Sequence, residues 1–314
     1  MDKKFLKDVL SIPSISGNES MLRDYIVEFA IENEIDYVLD KKGNVYLTKG
    51  KDKVTLGEYY PCVVSHIDLI NDKRRLDIVE NVKGDLIAYN PLTNEQTGIG
   101  GDDKCGVFVC LSLFLEMDIL KGAFFVEEEI GMLGSREACE EFFKNVGYAI
   151  QFDAPSANWI TEVCSGVKIF DDEFKGNIKT VLSEGGYTKF SNDPFTDVNQ
   201  LAQKFDFNCL NLGCGYYEQH RDTEYVVIDE VKKALHMGIK LIHHLGINDY
   251  ERKDKENLNE NVKDDSYWFK YVENDYDLLS DKIVDSVIEM YEDGFESEDI
   301  KMYVSDLLEI ETYE

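Results

Sequence analysis

Basic side chains are scarce in this chain: 33 Lys and Arg stand against 63 Asp and Glu in 314 residues, a formal net charge of −30. So acidic a surface repels phosphate backbones and anionic lipid, which sets nucleic-acid and membrane-surface roles aside. An apolar run of membrane-spanning length is also missing. The longest, Val107 to Leu115, is interrupted by Ser112 and falls far short of a bilayer. Met1 to Asp8 includes no apolar stretch of signal-peptide length. The seven cysteines form no CxxC pair, so neither a disulfide framework nor a zinc ribbon is expected. They read as small buried hydrophobes in a reducing cytoplasm. No internal repeat or low-complexity tract is evident.

What is present is enough apolar material for a substantial core, with 43% hydrophobic residues. Leu22, Tyr25, Ile26, Phe29 and Ala30 recur at helical spacing after the turn Ser16-Gly17-Asn18. Short apolar runs that read as strands follow at Val45–Thr48, Cys62–His66, Ala123–Val126, Tyr148–Phe152 and Asn208–Leu212. Between them lie a buried helix over Cys105–Leu115, a surface helix over Gly134–Lys144 and an amphipathic helix over Asp229–Leu245. Strands alternating with helices predict an α/β fold, a three-layer αβα sandwich around a mostly parallel mixed sheet.

Composition changes near residue 247. Residues 248–314 hold 7 basic and 22 acidic residues, half of the net charge in about a fifth of the chain. Two apolar stripes run through them, Ile283, Val284, Val287, Ile288 and Tyr291, then Ile300, Tyr303, Val304, Leu307 and Leu308. The expected organisation is therefore one large domain over 1–247 and an acidic helical extension over 248–314, docked on the domain or serving homo-oligomer contacts.

Several chemistry-bearing residues sit where strands end. In open α/β sheets, ligands bind at the carboxyl ends of the strands. His66-Ile67-Asp68 puts an imidazole and a carboxylate two apart, so Asp68 is placed to orient the ring of His66. Three acids, Glu127-Glu128-Glu129, follow the run at 123–126, and Asp153 follows that at 148–152. The glycine-rich turn Gly98 to Gly106 precedes a helix but fits neither phosphate-binding motif. Asp103 replaces a required glycine in both, and Cys105 replaces the Walker hydroxyl. A carboxylate there suits a cation, and one aspartate can bridge two. A loop offers His220, while His236, His243 and His244 belong to the amphipathic helix and read as surface or core residues. Each of these motifs, taken singly, has an ordinary structural reading.

Taken in order, the motifs resemble the superfamily of co-catalytic zinc exopeptidases, which includes tripeptidase T, desuccinylases and leucyl-type aminopeptidases. Residues 8–245 carry the resemblance, from Ile12-Pro13-Ser14-Ile15-Ser16-Gly17-Asn18-Glu19 and Asp40-Lys41-Lys42-Gly43-Asn44 through Ser65-His66-Ile67-Asp68 and Gly101-Asp102-Asp103-Lys104-Cys105-Gly106. Glu128-Glu129-Ile130-Gly131, Asp153 and His220-Arg221-Asp222-Thr223-Glu224 complete it. The resemblance implies two divalent metal ions, with Asp102 bridging, His66 and Asp153 on one side, and Glu129 and His220 on the other. It further implies Glu128 as general base, Asp68 behind His66, and a cis peptide after Asp102. Zinc suits the mixed His and carboxylate donors, and manganese or cobalt shares their preference.

The sequence departs from lidded relatives, because only 66 residues separate Asp153 from His220. The groups a lid would bring to substrate must then be local, and Tyr216, Tyr217 and Arg221 are the candidates. The function expected is amide hydrolysis, foremost as an exopeptidase acting on peptides (an aminopeptidase or di/tripeptidase). An N-acyl amino-acid deacylase using the same site is the second reading, and a non-catalytic binding protein on this fold is the third.

Overall fold

The computed structural model describes residues 2–70, 76–193 and 195–253. The apolar stripes expected between Ile283 and Leu308 lie outside the described residues. The chain begins with α1 (Lys3–Leu10) and α2 (Ser20–Glu32), then β1 (Asp36–Leu39), β2 (Val45–Lys49) and β3 (Tyr60–His66). Three short strands follow, β4 (Asp77–Glu80), β5 (Leu86–Tyr89) and β6 (Gln96–Thr97). Next come α3 (Gly101–Glu116), β7 (Leu120–Phe125), the single turns α4 (Leu133–Arg136) and α5 (Glu140–Phe143), and β8 (Val146–Gln151). After β9 (Trp159–Cys164) and β10 (Val167–Lys168) the chain forms α6 (Asp172–Glu184), β11 (Lys189–Asp193), α7 (Asp197–Lys204) and β12 (Asn208–Leu212). It closes with β13 (Tyr216–Tyr217), β14 (Tyr225–Val226) and α8 (Ile228–Leu245).

The main sheet runs β1-β2-β7-β3-β8-β12-β9-β10, with β11 paired to β9. Its centre, β7-β3-β8-β12, is parallel throughout. Every residue of β3, β7, β8 and β12 is buried, as the continuous apolar runs require of strands covered on both faces. Helices α3 and α7 pack on β3, α8 packs on α3, and α2 covers β1 and β2. The α/β sandwich around a mixed sheet with a parallel centre is thus as expected. The β1–β2, β2–β7, β9–β12 and β9–β10 pairs are antiparallel, because hairpins and reversed strands complete the flanks.

Helix α3 is apolar nearly all round and is buried from Val107 through Phe114. Helix α8 is amphipathic, burying Ile228, Val231, Leu235, Leu241, Ile242 and Leu245. Gly238 permits its close approach to α3, since a Cβ there would lie 2.9 Å from Leu113 and from Phe152. His236, His243 and His244 are exposed on α8, as helix-surface residues. No described helix is long and apolar enough to cross a membrane.

The surface helix expected over Gly134–Lys144 is not continuous. Met132 has φ 56° and Cys139 is extended, with its N–H donated to the Tyr46 hydroxyl rather than to a helical carbonyl. The interruption lets Phe142 and Phe143 turn inward against Tyr46, and Phe143 also stacks on Phe205 and Phe207. Aromatic burial outweighs helical propensity here. A second, smaller sheet, β13-β14-β5-β4 with β6 on β5, was not foreseen. It holds the loop that carries His220 beside the start of α3. Past α8, the chain to residue 253 lies on the same body. Tyr250 packs on Tyr148 and Phe174, and the buried Arg252 donates to the carbonyls of Lys168 and Ala202.

Candidate metal centre

Three neighbouring strands deliver the first components. Parallel pairing aligns the ends of β7, β3 and β8, with His66 opposite Phe125 and Val64 opposite Gln151. His66 therefore closes β3, Glu127 to Glu129 lie just past β7, and Asp153 lies just past β8. Asp102 comes from the first turn of α3, which is distorted at Asp102 and Asp103 and has a cis peptide between them. His220 comes from the β13–β14 connection and has φ 63°.

These residues converge in two groups that share one carboxylate. His66, Asp102 and Asp153 form one, and Asp102, Glu129 and His220 form the other, with one donor atom per residue lying within 4.8 Å of its partners. Asp102 Oδ1 is 3.1 Å from His66 Nε2, and Asp102 Oδ2 is 3.4 Å from His220 Nε2. Asp153 Oδ1 lies 3.7 Å from His66 Nε2, and Glu129 Oε1 lies 3.1 Å from His220 Nε2. Donors bound at about 2.0–2.1 Å to a common tetrahedral ion stand roughly 3.3 Å apart. The spacing and the donor set, two imidazoles with a shared carboxylate, fit a pair of divalent cations.

The three consecutive glutamates are separated by backbone geometry. Glu127 adopts φ 53° and pairs with Lys42, Glu128 points toward the first histidine, and Glu129 meets the second. Glu128 Oε2 is 3.9 Å from His66 Nε2 and belongs to neither donor group. Asp68 organises this region. The His66 Nδ1 lies 3.3 Å from Asp68 Oδ1 and 3.1 Å from its carbonyl oxygen. Asp68 also accepts the backbone N–H of Glu128 and of Glu129, and the Ser16 hydroxyl. One buried carboxylate thereby orients a histidine and fixes two glutamates.

The buried ionisable groups of this cluster act strongly on one another. Burial raises the carboxyl pKa of Glu128 well above its ordinary value and raises those of Glu129 and Asp153, while the imidazoles pull them down. Burial opposes charge on His66, yet Glu128 and hydrogen bonds to Asp102, Asp153 and Asp68 raise its pKa well above normal. For Asp102, burial is overcome by hydrogen bonds to His220 and His66, which hold its carboxyl far below the usual range.

Of the expected substrate contacts, Tyr216 reaches this centre and donates to Asp153 Oδ1 at 3.0 Å. Tyr217 does not. Its hydroxyl donates to Glu230 and its ring stacks on Tyr225. Arg221 is exposed and pairs with Glu218, at the rim of a small cleft with Leu69, Ile70 and Thr97. The sequence reading missed two supporting groups. Gln151 donates to Asp153 Oδ2, and the Asn211 amide clamps both the N–H and the carbonyl of Asp153. Gln151 lies two residues before Asp153, so its spacing was a usable signal; Asn211 left none.

No known family model matches the sequence, and no curated protein is similar to it. Solved structures are similar. Aminopeptidase PepT from Bacillus cereus superposes with a TM-score of 0.65 at 12% identity, covering 76% of this chain and 96% of that one. A tripeptidase from Staphylococcus aureus gives 0.60 at 13% identity, covering 76% and 96%. The Pyrococcus horikoshii TET1 peptidase, which can assemble into a tetrahedron or a large octahedral shell, gives 0.56 at 16% identity, covering 76% and 98%. The likeness establishes the fold, an α/β sandwich of the kind found in these peptidases.

Proposed function

We propose that the chain is a metal-dependent exopeptidase, an aminopeptidase or a di/tripeptidase, using two divalent cations. The observation that carries this reading is the position of Asp102, one oxygen on each histidine, with Glu128 beside the pair and outside both donor groups. The names of the solved structures that share the fold support it. His66, Asp102 and Asp153 would hold one cation and Asp102, Glu129 and His220 the other, with zinc favoured by the donor set. Bound cations supply Lewis acidity toward a carbonyl and toward water.

The protein's own groups have separable tasks. Glu128 accepts a proton from the attacking water and returns it to the leaving amine, the role of a general base and acid. Asp68 holds the ring of His66 through Nδ1 and leaves Nε2 toward the centre. Through the backbone N–H of Glu128, Asp68 also keeps that carboxylate at a fixed distance from His66. Tyr216 fixes one oxygen of Asp153. Self-association is part of the proposal, since the TET1 peptidase that shares the fold can assemble into larger shells.

The test is to incubate the protein, loaded with zinc, manganese or cobalt, with a peptide library and read new termini by mass spectrometry. Trimming from one end is expected, and the end trimmed distinguishes the two peptidase classes. Hydrolysis of N-acyl amino acids without peptide cleavage transfers the site to a deacylase. No amide cleavage with any of the three metals removes the reading.

A further inference from the structure

The start of α3 has no side-chain cap of its own, because its N-cap residue is Gly100. Three orphan donors nevertheless find a partner. The Gly100 N–H donates to Glu224 Oε2 at 2.7 Å, and the N–H groups of Gly101 and Asp102 donate to Glu224 Oε1 at 2.7 and 3.3 Å. Glu224 is only 3% exposed. Its carboxylate fills the anion site that a glycine turn and a helix N-terminus naturally create.

The glycines at 98 and 101 leave room for that carboxylate and for the chain around it. A Cβ at Gly98 would lie 3.3 Å from Glu224 Oε2 and 3.1 Å from the Arg221 carbonyl oxygen. A Cβ at Gly101 would lie 3.2 Å from Glu224 Oε1 and 2.7 Å from the Tyr216 Cβ. The turn resembles a phosphate-binding loop in composition because it also wraps an anion, and here the anion is a side chain of the same protein.

The position of Glu224 in the chain gives this contact its consequence. It lies four residues after His220, in a loop closed by the Glu224 N–H on the Arg221 carbonyl oxygen and anchored where β14 begins. The same loop thus carries one histidine of the centre and grips the backbone of the shared aspartate.

We propose that Glu224 is a positioning residue: it locks the Gly100–Asp102 turn to the His220 loop and so aims the two Asp102 oxygens at His66 and His220. The inference rests on the two-cation reading for its binding consequence, but the grip itself is measurable without metal. Because Asp102 serves both groups, loosening it weakens both cation-binding events together. Outer residues of this kind typically contribute 10–100-fold to metal affinity.

The experiment uses the full chain, stripped of metal and labelled with [15N]glycine, as wild type, Glu224→Gln and Glu224→Asp. Glu224→Gln replaces a charged acceptor by an amide, and Glu224→Asp keeps the charge but falls one methylene short. If one variant is insoluble, the other carries the same comparison. The amide resonances of Gly100 and Gly101 are expected to move in the variants. Calorimetric titration with zinc is expected to show both binding events weakened by about 10–100-fold. Ile178→Ala, a core change in α6, serves as control: it lowers the thermal midpoint and leaves zinc affinity as in wild type. A Glu224 variant that loses thermal stability like this control, yet keeps wild-type zinc affinity, overturns the proposal. Unmoved glycine resonances overturn it as well. If wild type itself binds no pair of zinc ions, the exopeptidase reading falls, while the glycine resonances still decide whether Glu224 holds the turn.

Discussion

Asp102 is the residue on which both halves of the centre depend, and this makes its substitution unlike that of its neighbours. Replacing His220 by Ala should remove one of two calorimetric binding events, because His66, Asp102 and Asp153 remain. Replacing Asp102 by Ala should weaken both, and a titration that keeps one event intact would show that the aspartate is not shared. Glu128→Gln should leave both events in place and lower turnover by about 10²–10⁴-fold, the usual contribution of a positioned base. Away from the centre, burial pushes the Lys121 ammonium down to about 8 from 10.5. Lys121 donates to the carbonyl of Phe142 and to Asn145, and sits over the ring of Tyr60. Its folded pKa lies below the unfolded one, so between these values the unfolded chain binds more protons. The destabilisation is complete below about pH 8 and is relieved as pH rises toward 10.5. Relative to Lys121→Met, the unfolding free energy of wild type should therefore rise across this window, with a limiting slope of about 1.4 kcal/mol per pH unit. Denaturant titrations of both proteins at several pH values in chelator measure that difference; a pH-independent gap would contradict it.

At the level of elements, the strands that deliver the centre were legible because a buried parallel strand must be apolar along its length. Cys62–Val64 and Ala123–Val126 end abruptly at polar groups, and that edge is the sheet's carboxyl end. The small sheet was not legible. Strands β6, β13 and β14 have two residues each, and β14 pairs Val226 with Leu86, a partnership no local pattern announces. The partners of Glu224 were hidden for the same reason, since Gly100 is distant in sequence. The Gly134–Lys144 segment misled because its helical spacing is genuine, while Phe142 and Phe143 have a better use in an aromatic cluster. The α3–α8 contact makes its own prediction. Gly238→Val forces a branched side chain against Leu113 and Phe152. It should destabilise the fold by about 1–3 kcal/mol, whereas His243→Ala on the exposed face should stay within about 0.5 kcal/mol. Comparable thermal midpoints for the two variants would mean that the helices are not so closely apposed.

For the whole molecule, the crowd of buried acids at the centre would, in the two-cation reading, couple cation binding to stability. Binding to the folded chain alone should stabilise it by roughly 2.7 kcal/mol per site when free zinc is 100 times its dissociation constant. Urea unfolding with zinc and with chelator reads this gain, and coincident curves would mean that the folded state holds no ion. Strand β3 has a further consequence. Val63 pairs with Gly122 on one side and Ile150 on the other, while Glu224 meets Gly100 across a separation of 124 residues. Such long-range pairings form slowly, and they place the donors together only near the end of the search through conformations. A chain still on that path has no complete pair of sites to offer. Zinc should consequently leave the refolding rate nearly unchanged and act almost wholly by retarding unfolding. The ions would then work as a latch on the finished protein, setting how long it survives once made rather than how fast it is made.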